Sequence, residues 1–112
     1  MNMIKMSEVP IGSTPHNVDV RKLFESEHVQ IVHIKLEPGE GLKKHITPVD
    51  VSFYVLEGEG TVQIGEELMD VGPDSLVESP KGIVHTWHNK GDKPFRVLVI
   101  KTPRPSNPAR ML

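Results

Sequence analysis

The clearest pattern in the chain is an alternation of apolar and polar positions, broken every few residues by glycine or proline. In Val51-Ser-Phe-Tyr-Val-Leu-Glu57 the residues Val51, Phe53 and Val55 fall on one face, the period of two expected of a half-buried strand. The run Val29-Gln-Ile-Val-His-Ile-Lys-Leu36 is β-branched and apolar and is stopped by Pro38-Gly39. After Gly58-Glu59-Gly60, the segments Thr61–Ile64 and Leu68–Val71 read as strands around the turn Gly65-Glu66-Glu67, a hairpin signature. Ser75–Ser79, Ile83–Asn89 and Phe95–Lys101 complete the series, separated by Gly72-Pro73-Asp74, Pro80-Lys81-Gly82 and the polar loop Lys90–Pro94. Asp19–Ser26 is ambiguous. Val20, Leu23 and Phe24 have helical spacing, but the all-strand context favours a strand pairing back on Val29–Leu36. Seven or eight short antiparallel strands predict an all-β sandwich or barrel.

Composition narrows the picture. With 112 residues the chain has room for one core, and at this size roughly 65% of the extended-chain surface is buried on folding. Ten prolines and nine glycines suit many turns, and the absence of cysteine excludes disulfides and thiolate metal sites. No apolar run approaches the roughly 20 residues that cross a bilayer. The opening Met1–Glu8 lacks the apolar stretch of a signal peptide, so the expected location is cytoplasmic. Thirteen basic and fifteen acidic residues give a net charge of −2 without a basic run, which argues against nucleic-acid binding. Residues 1–18 read as an N-terminal arm, 19–102 as the β domain, and 103–112, with its prolines, as an extended tail that is mobile or lies along a neighbour.

Two stretches carry a family resemblance. Gly39 is followed by five residues and His45, then Thr47, Val51 and Gly58. This is similar to the first cupin motif: glycine, five residues, His-x-His, three or four residues, glutamate, six residues, glycine. Pro80-Lys-Gly82-Ile-Val-His85-Thr-Trp-His-Asn89 matches the second motif, proline-x-glycine-x-x-His-x-x-x-Asn, at every specified position. The chain therefore resembles a small single-domain cupin with an incomplete first motif. The fold this implies is an antiparallel β-barrel of the jelly-roll, or double-stranded β-helix, type.

The resemblance also implies a site. In metal-binding cupins two histidines and a glutamate from the first motif join one histidine from the second, and such a set suits Zn, Fe, Ni or Mn. Carried over, His45 and His85 would be ligands to a divalent transition metal. Thr47 and Val51 occupy the other two ligand positions, and neither is a competent ligand. Asp50 is the nearest carboxylate. Alternation from Val51 aims it outward, although Pro48 can disturb that alternation, and the direction of Glu78 is left open. On a strand, His45 and Thr47 share a face, and Phe53 and Trp87 should face inward with Val51 and His85. Thr47, Val51, Phe53 and Trp87 are therefore the candidate small-molecule contacts. His16, His28, His33 and His88 are expected at the surface, with His33 on the face opposite Val32 and Ile34. Asn89 should end its strand by bonding local backbone.

Three functions fit these residues: a metal-dependent enzyme of unassigned substrate, a non-catalytic module that binds or senses a small molecule or metal, and a structural dimerisation unit. The resemblance implies a homodimer formed through sheet edges.

Overall fold

The computed structural model describes all residues, 1–112, and contains ten strands. A single 3-10 turn, Met6–Glu8, precedes them. The strands are β1 (Asp19–Glu25), β2 (Gln30–Leu36), β3 (His45–Ile46), β4 (Asp50–Glu57), β5 (Gly60–Ile64), β6 (Glu67–Val71), β7 (Leu76–Ser79), β8 (Val84–His88), β9 (Phe95–Thr102) and β10 (Arg110–Met111). They form two five-stranded sheets, ordered β1-β2-β9-β4-β7 and β10-β3-β8-β5-β6. Every pairing is antiparallel. The fold is a jelly roll, two facing sheets that enclose one interior: the alternation and turn spacing predict a sandwich or barrel, and the family resemblance implies the jelly-roll type.

The inward rows are those the alternation marks out. Val32, Ile34 and Leu36 on β2, Val51, Phe53 and Val55 on β4, and Phe95, Val97 and Val99 on β9 are buried. Across the interior they meet Val62, Trp87 and Leu42. Trp87 tilts against both Phe53 and Phe95, with ring centroids 4.8 Å and 5.8 Å away. These rings seal one end of the barrel, and each such side chain stabilises the fold by about 1.5–3 kcal/mol through burial.

Asp19–Glu25 is a strand, and its helical spacing has a local cause. The β1–β2 register shifts between Lys22 and Phe24, so a bulge at Leu23 puts one residue out of phase. Gly60 serves a purpose other than turning: a side chain there would run into the Phe95 ring. Gly58, at φ +82°, combines both demands, because a Cβ would also strike the Pro94 carbonyl. The proline-rich tail returns to its own chain. Arg110 and Met111 pair with Ile46 and His45, and the Leu112 amide donates to the Lys44 carbonyl at 3.1 Å. This adds an edge strand next to the site.

Candidate functional site

The open end of the barrel holds a cavity of about 320 Å³ between the two sheets. The second sheet builds one wall. There β3 pairs with β8 so that His45 lies directly opposite His85. Both rings point inward and are buried, as is Thr47 two residues on from His45. Val51 and Phe53 line the same cavity. Trp87 does not: it stands behind Phe53 in the sealed half, where its indole N–H has no partner.

The hydrogen bonds fix the proton positions. His45 Nδ1 lies 2.7 Å from the Lys43 carbonyl, which can only accept, so the His45 proton is on Nδ1 and its Nε2 is a bare acceptor. His85 Nε2 is 2.9 Å from that acceptor and must donate to it. His85 Nδ1 is then left as an acceptor for the Ser79 hydroxyl at 2.8 Å. The Thr47 hydroxyl lies 3.3 Å from His85 Nε2. The result is a directed relay, from Ser79 to His85 to His45 to the Lys43 carbonyl, with both Nε2 atoms at the cavity wall.

A third imidazole joins this pair. His16, which alternation leaves at the surface, is half-buried, and its ring packs edge-on against His45 with centroids 4.6 Å apart. The Lys43 amide donates to its Nδ1 at 2.9 Å. Its arm, Gly12–His16, forms part of the cavity rim, and Pro108, Ala109 and Met111 of the tail form another part. Sequence reasoning had no handle on His16, because an irregular arm carries no periodicity. Lys101 is different. It continues the inward row Phe95, Val97, Val99 and lines the cavity, so the alternation itself points to it.

Burial holds all of these groups in their neutral direction. The His85 pKa is lowered to about 3, first by burial and then by the neighbouring His45, Lys101 and His16. That of His16 is lowered to about 4, by burial and then by His45, Lys101 and Lys43. His45 is also lowered, chiefly by burial, against the opposing pull of its bond to the Lys43 carbonyl. At neutral pH the wall therefore presents uncharged imidazoles.

The other candidates fall elsewhere. Asp50 is exposed and accepts from the Lys81 amide at 2.9 Å. Glu78 is exposed, across from Ser52 on the outer face of its sheet. His28 and His88 are exposed, as expected. His33 is a correction: it lies on the outer face but is buried, because Arg96 covers it and donates to its Nε2 at 3.0 Å while also pairing with Glu57. Asn89 bonds local backbone, as expected, and also reaches the distant Leu36 carbonyl at 2.9 Å.

The donor set does not fit the four-ligand metal centre that the resemblance implies. His45 and His85 supply two imidazole nitrogens, while Thr47 and Val51 fill the remaining positions. His16 already uses Nδ1, and both nearby carboxylates face away. No three His, Cys, Asp or Glu side chains are arranged to share a metal ion. Two imidazoles next to a lysine hold a divalent cation weakly.

Comparison with known proteins agrees with this architecture. The chain is 31% identical over 87 residues to the uncharacterised protein MJ0764 of Methanocaldococcus jannaschii, covering 77% of this chain and 75% of that one. It is 31% identical over 77 residues to the tetracenomycin polyketide synthase protein TcmJ of Streptomyces glaucescens, covering 68% of this chain and 52% of TcmJ, so it spans about half of that relative. Among solved structures, TT1209 from Thermus thermophilus superposes with a TM-score of 0.80 at 29% identity, covering 94% of this chain and 100% of that one. Residues 32–101, which hold the paired histidines and the inward rows around them, match the cupin domain, and on that match the chain belongs to the cupin family.

Proposed function

We propose that this cupin binds an oxygen-bearing small molecule in its barrel and moves a proton on it with the His45–His85 pair, without a resident metal. The observation that carries this reading is the relay. Ser79 and the Lys43 carbonyl fix the outer nitrogen of each ring, and the two Nε2 atoms face each other across 2.9 Å. An oxygen atom of a ligand that enters between them would take the His85 N–H and free the His45 lone pair. One ring then donates a hydrogen bond while the other accepts a proton, the division of labour that general acid–base catalysis needs. A neutral imidazole is also able to polarise a carbonyl as a hydrogen-bond donor. Negative charge developing on the ligand oxygen would raise the low pKa values of the empty pocket.

Thr47 would give the ligand a second polar contact, and Val51 with Phe53 an apolar wall. The likeness to TcmJ makes carbonyl compounds with acidic α-protons a suitable substrate class, since polyketides are of that kind. The alternative, a module that only binds, uses the same residues without turnover.

The test needs no substrate. Long-range ¹H–¹⁵N spectra of the histidines at neutral pH should show His45 protonated at Nδ1 and His85 at Nε2, unchanged by a chelator, with elemental analysis finding no stoichiometric metal. A stoichiometric ion, with His85 protonated at Nδ1 and bound through Nε2, would replace this reading with the metal-centred one.

A further inference from the structure

The wall opposite the imidazoles has its own chemistry. Alternation brings three polar residues of the first sheet to the mouth: Lys101 on β9, Gln30 on β2 and Lys22 on β1 all line the cavity. Gln30 pairs with Lys101, which in turn pairs with Val51, so these lie in one layer, and Lys22, opposite Val32, lies in the next. None of the residues lining the cavity is aspartate or glutamate. Lys22 has a counter-charge outside the cavity, Glu25, at 3.1 Å. Lys101 has none. After burial, the influence on its ammonium is that of Lys22, another cation. A half-buried ammonium among imidazoles, with no carboxylate facing it, is an incomplete pair whose missing member must come from outside the protein.

We infer that Lys101 is the anchor for a negatively charged head group, so that the barrel takes a small organic monoanion of the carboxylate class. The geometry sets the pose. The head group sits at the first-sheet wall against Lys101, beside Gln30, whose side-chain amide already donates one hydrogen bond to Glu25 at 3.1 Å and has a second N–H to offer. The remainder of the molecule reaches across the cavity to His45 and His85, and its apolar portion rests on Val51, Phe53 and Val99. One uncompensated cation argues for one negative charge. A cavity of about 320 Å³ is at the small end for ligand pockets, which limits the molecule to about one ring or an equivalent chain. Lys101 is thus a specificity-determining residue, and it does not itself act on the reacting atom. The inference rests on the preceding reading for its site, but it concerns the opposite wall and fails separately.

The experiment is a calorimetric titration of the full chain with benzoate and with its neutral isostere benzamide, comparing wild type with Lys101→Met, Lys101→Arg and His85→Ala. Wild type should bind benzoate about ten-fold more tightly than benzamide, the scale of one charge-assisted contact. Lys101→Met should erase that preference by weakening benzoate alone, and Lys101→Arg should retain most of it. Equal binding of the two probes, an equal loss of both in Lys101→Met, or no binding of benzoate at millimolar concentration would overturn the inference. A loss in His85→Ala with Lys101→Met unaffected would overturn it too, yet leave the imidazole reading standing. A full charge preference in His85→Ala would support it even if the spectra had already removed the acid–base role.

Discussion

Along β9 the inward row runs Phe95, Val97, Val99, Lys101; along β8, running the other way, it passes from His85 to Trp87. One backbone alternation thus carries aromatic rings at the closed end of the barrel and titratable groups at the mouth. Between the two ends the β2–β9 ladder does not change, since it keeps one register from Gln30 opposite Lys101 to Leu36 opposite Phe95. What changes is whether an inward side chain gains or loses free energy by leaving water. At the closed end each ring gains from burial and from its aromatic neighbours. At the mouth, burying an imidazole or an ammonium costs free energy, and the cost shows as depressed pKa values. The closed end holds the fold, and the mouth is maintained at its expense.

The largest effect should come from breaking the closed end. Phe95 is fully buried, packs on Trp87 and fits against the bare backbone of Gly60. Phe95→Ala leaves a cavity that Gly60 cannot fill and should cost about 3–5 kcal/mol in denaturant unfolding. A loss under about 1 kcal/mol would mean that the closed end is not where stability resides.

A smaller effect should appear at the mouth when pH is lowered. The folded pKa values of His85 and His16, about 3 and about 4, lie below the 6.5 of an unperturbed histidine. The unfolded chain therefore binds more protons than the folded one in this window, and stability must fall as pH drops. The loss should begin near pH 6.5 and continue towards pH 4, at a slope of about 1.4 kcal/mol per pH unit for each histidine held neutral. His85→Gln should remove one such increment of slope while leaving the closed end unchanged. An equal slope in wild type and variant would show that His85 titrates normally in the fold.

The closed end was legible in the sequence because apolar alternation is itself the signal: Val51, Phe53 and Val55 announce their strand and their face together. Half of the mouth was legible for another reason, namely that His45 and His85 sit in spacings a family shares. The rest divides by cause. Lys101 obeys the same alternation as Val97 and Val99, yet a lysine at the end of a strand looks like its solvated terminus. The pairing of β9 with β2 and β4 carries the inward row as far as Lys101 and so keeps it off the solvated end. His16 could not be found, since it reaches the site from an arm whose path is set by tertiary contacts such as the Lys43 amide. The burial of His33 escapes the pattern because alternation gives its face correctly and says nothing of a covering residue; Arg96 is what buries it. The Leu23 bulge blurred β1, since a single extra residue imitates helical spacing.

The smallest expected effect is the one that separates the two ends most directly. If Lys101 is kept for a ligand, it should harm the ligand-free protein, whereas every apolar member of its row helps it. Lys101→Met retains the length of the side chain and removes the charge, so the half-buried ammonium no longer has to be desolvated without a partner. The variant should be more stable than wild type by about 1 kcal/mol at neutral pH, read as a higher denaturant midpoint at unchanged slope. The same substitution four residues earlier, Val97→Met, inserts extra volume into a packed layer away from the cavity and should destabilise by about 1–3 kcal/mol. Opposite signs for one residue type at two inward positions of one strand would locate the boundary between the two halves of the barrel between Val97 and Lys101. If Lys101→Met were destabilising as well, Lys101 would belong with the packing residues, and the boundary would lie beyond β9.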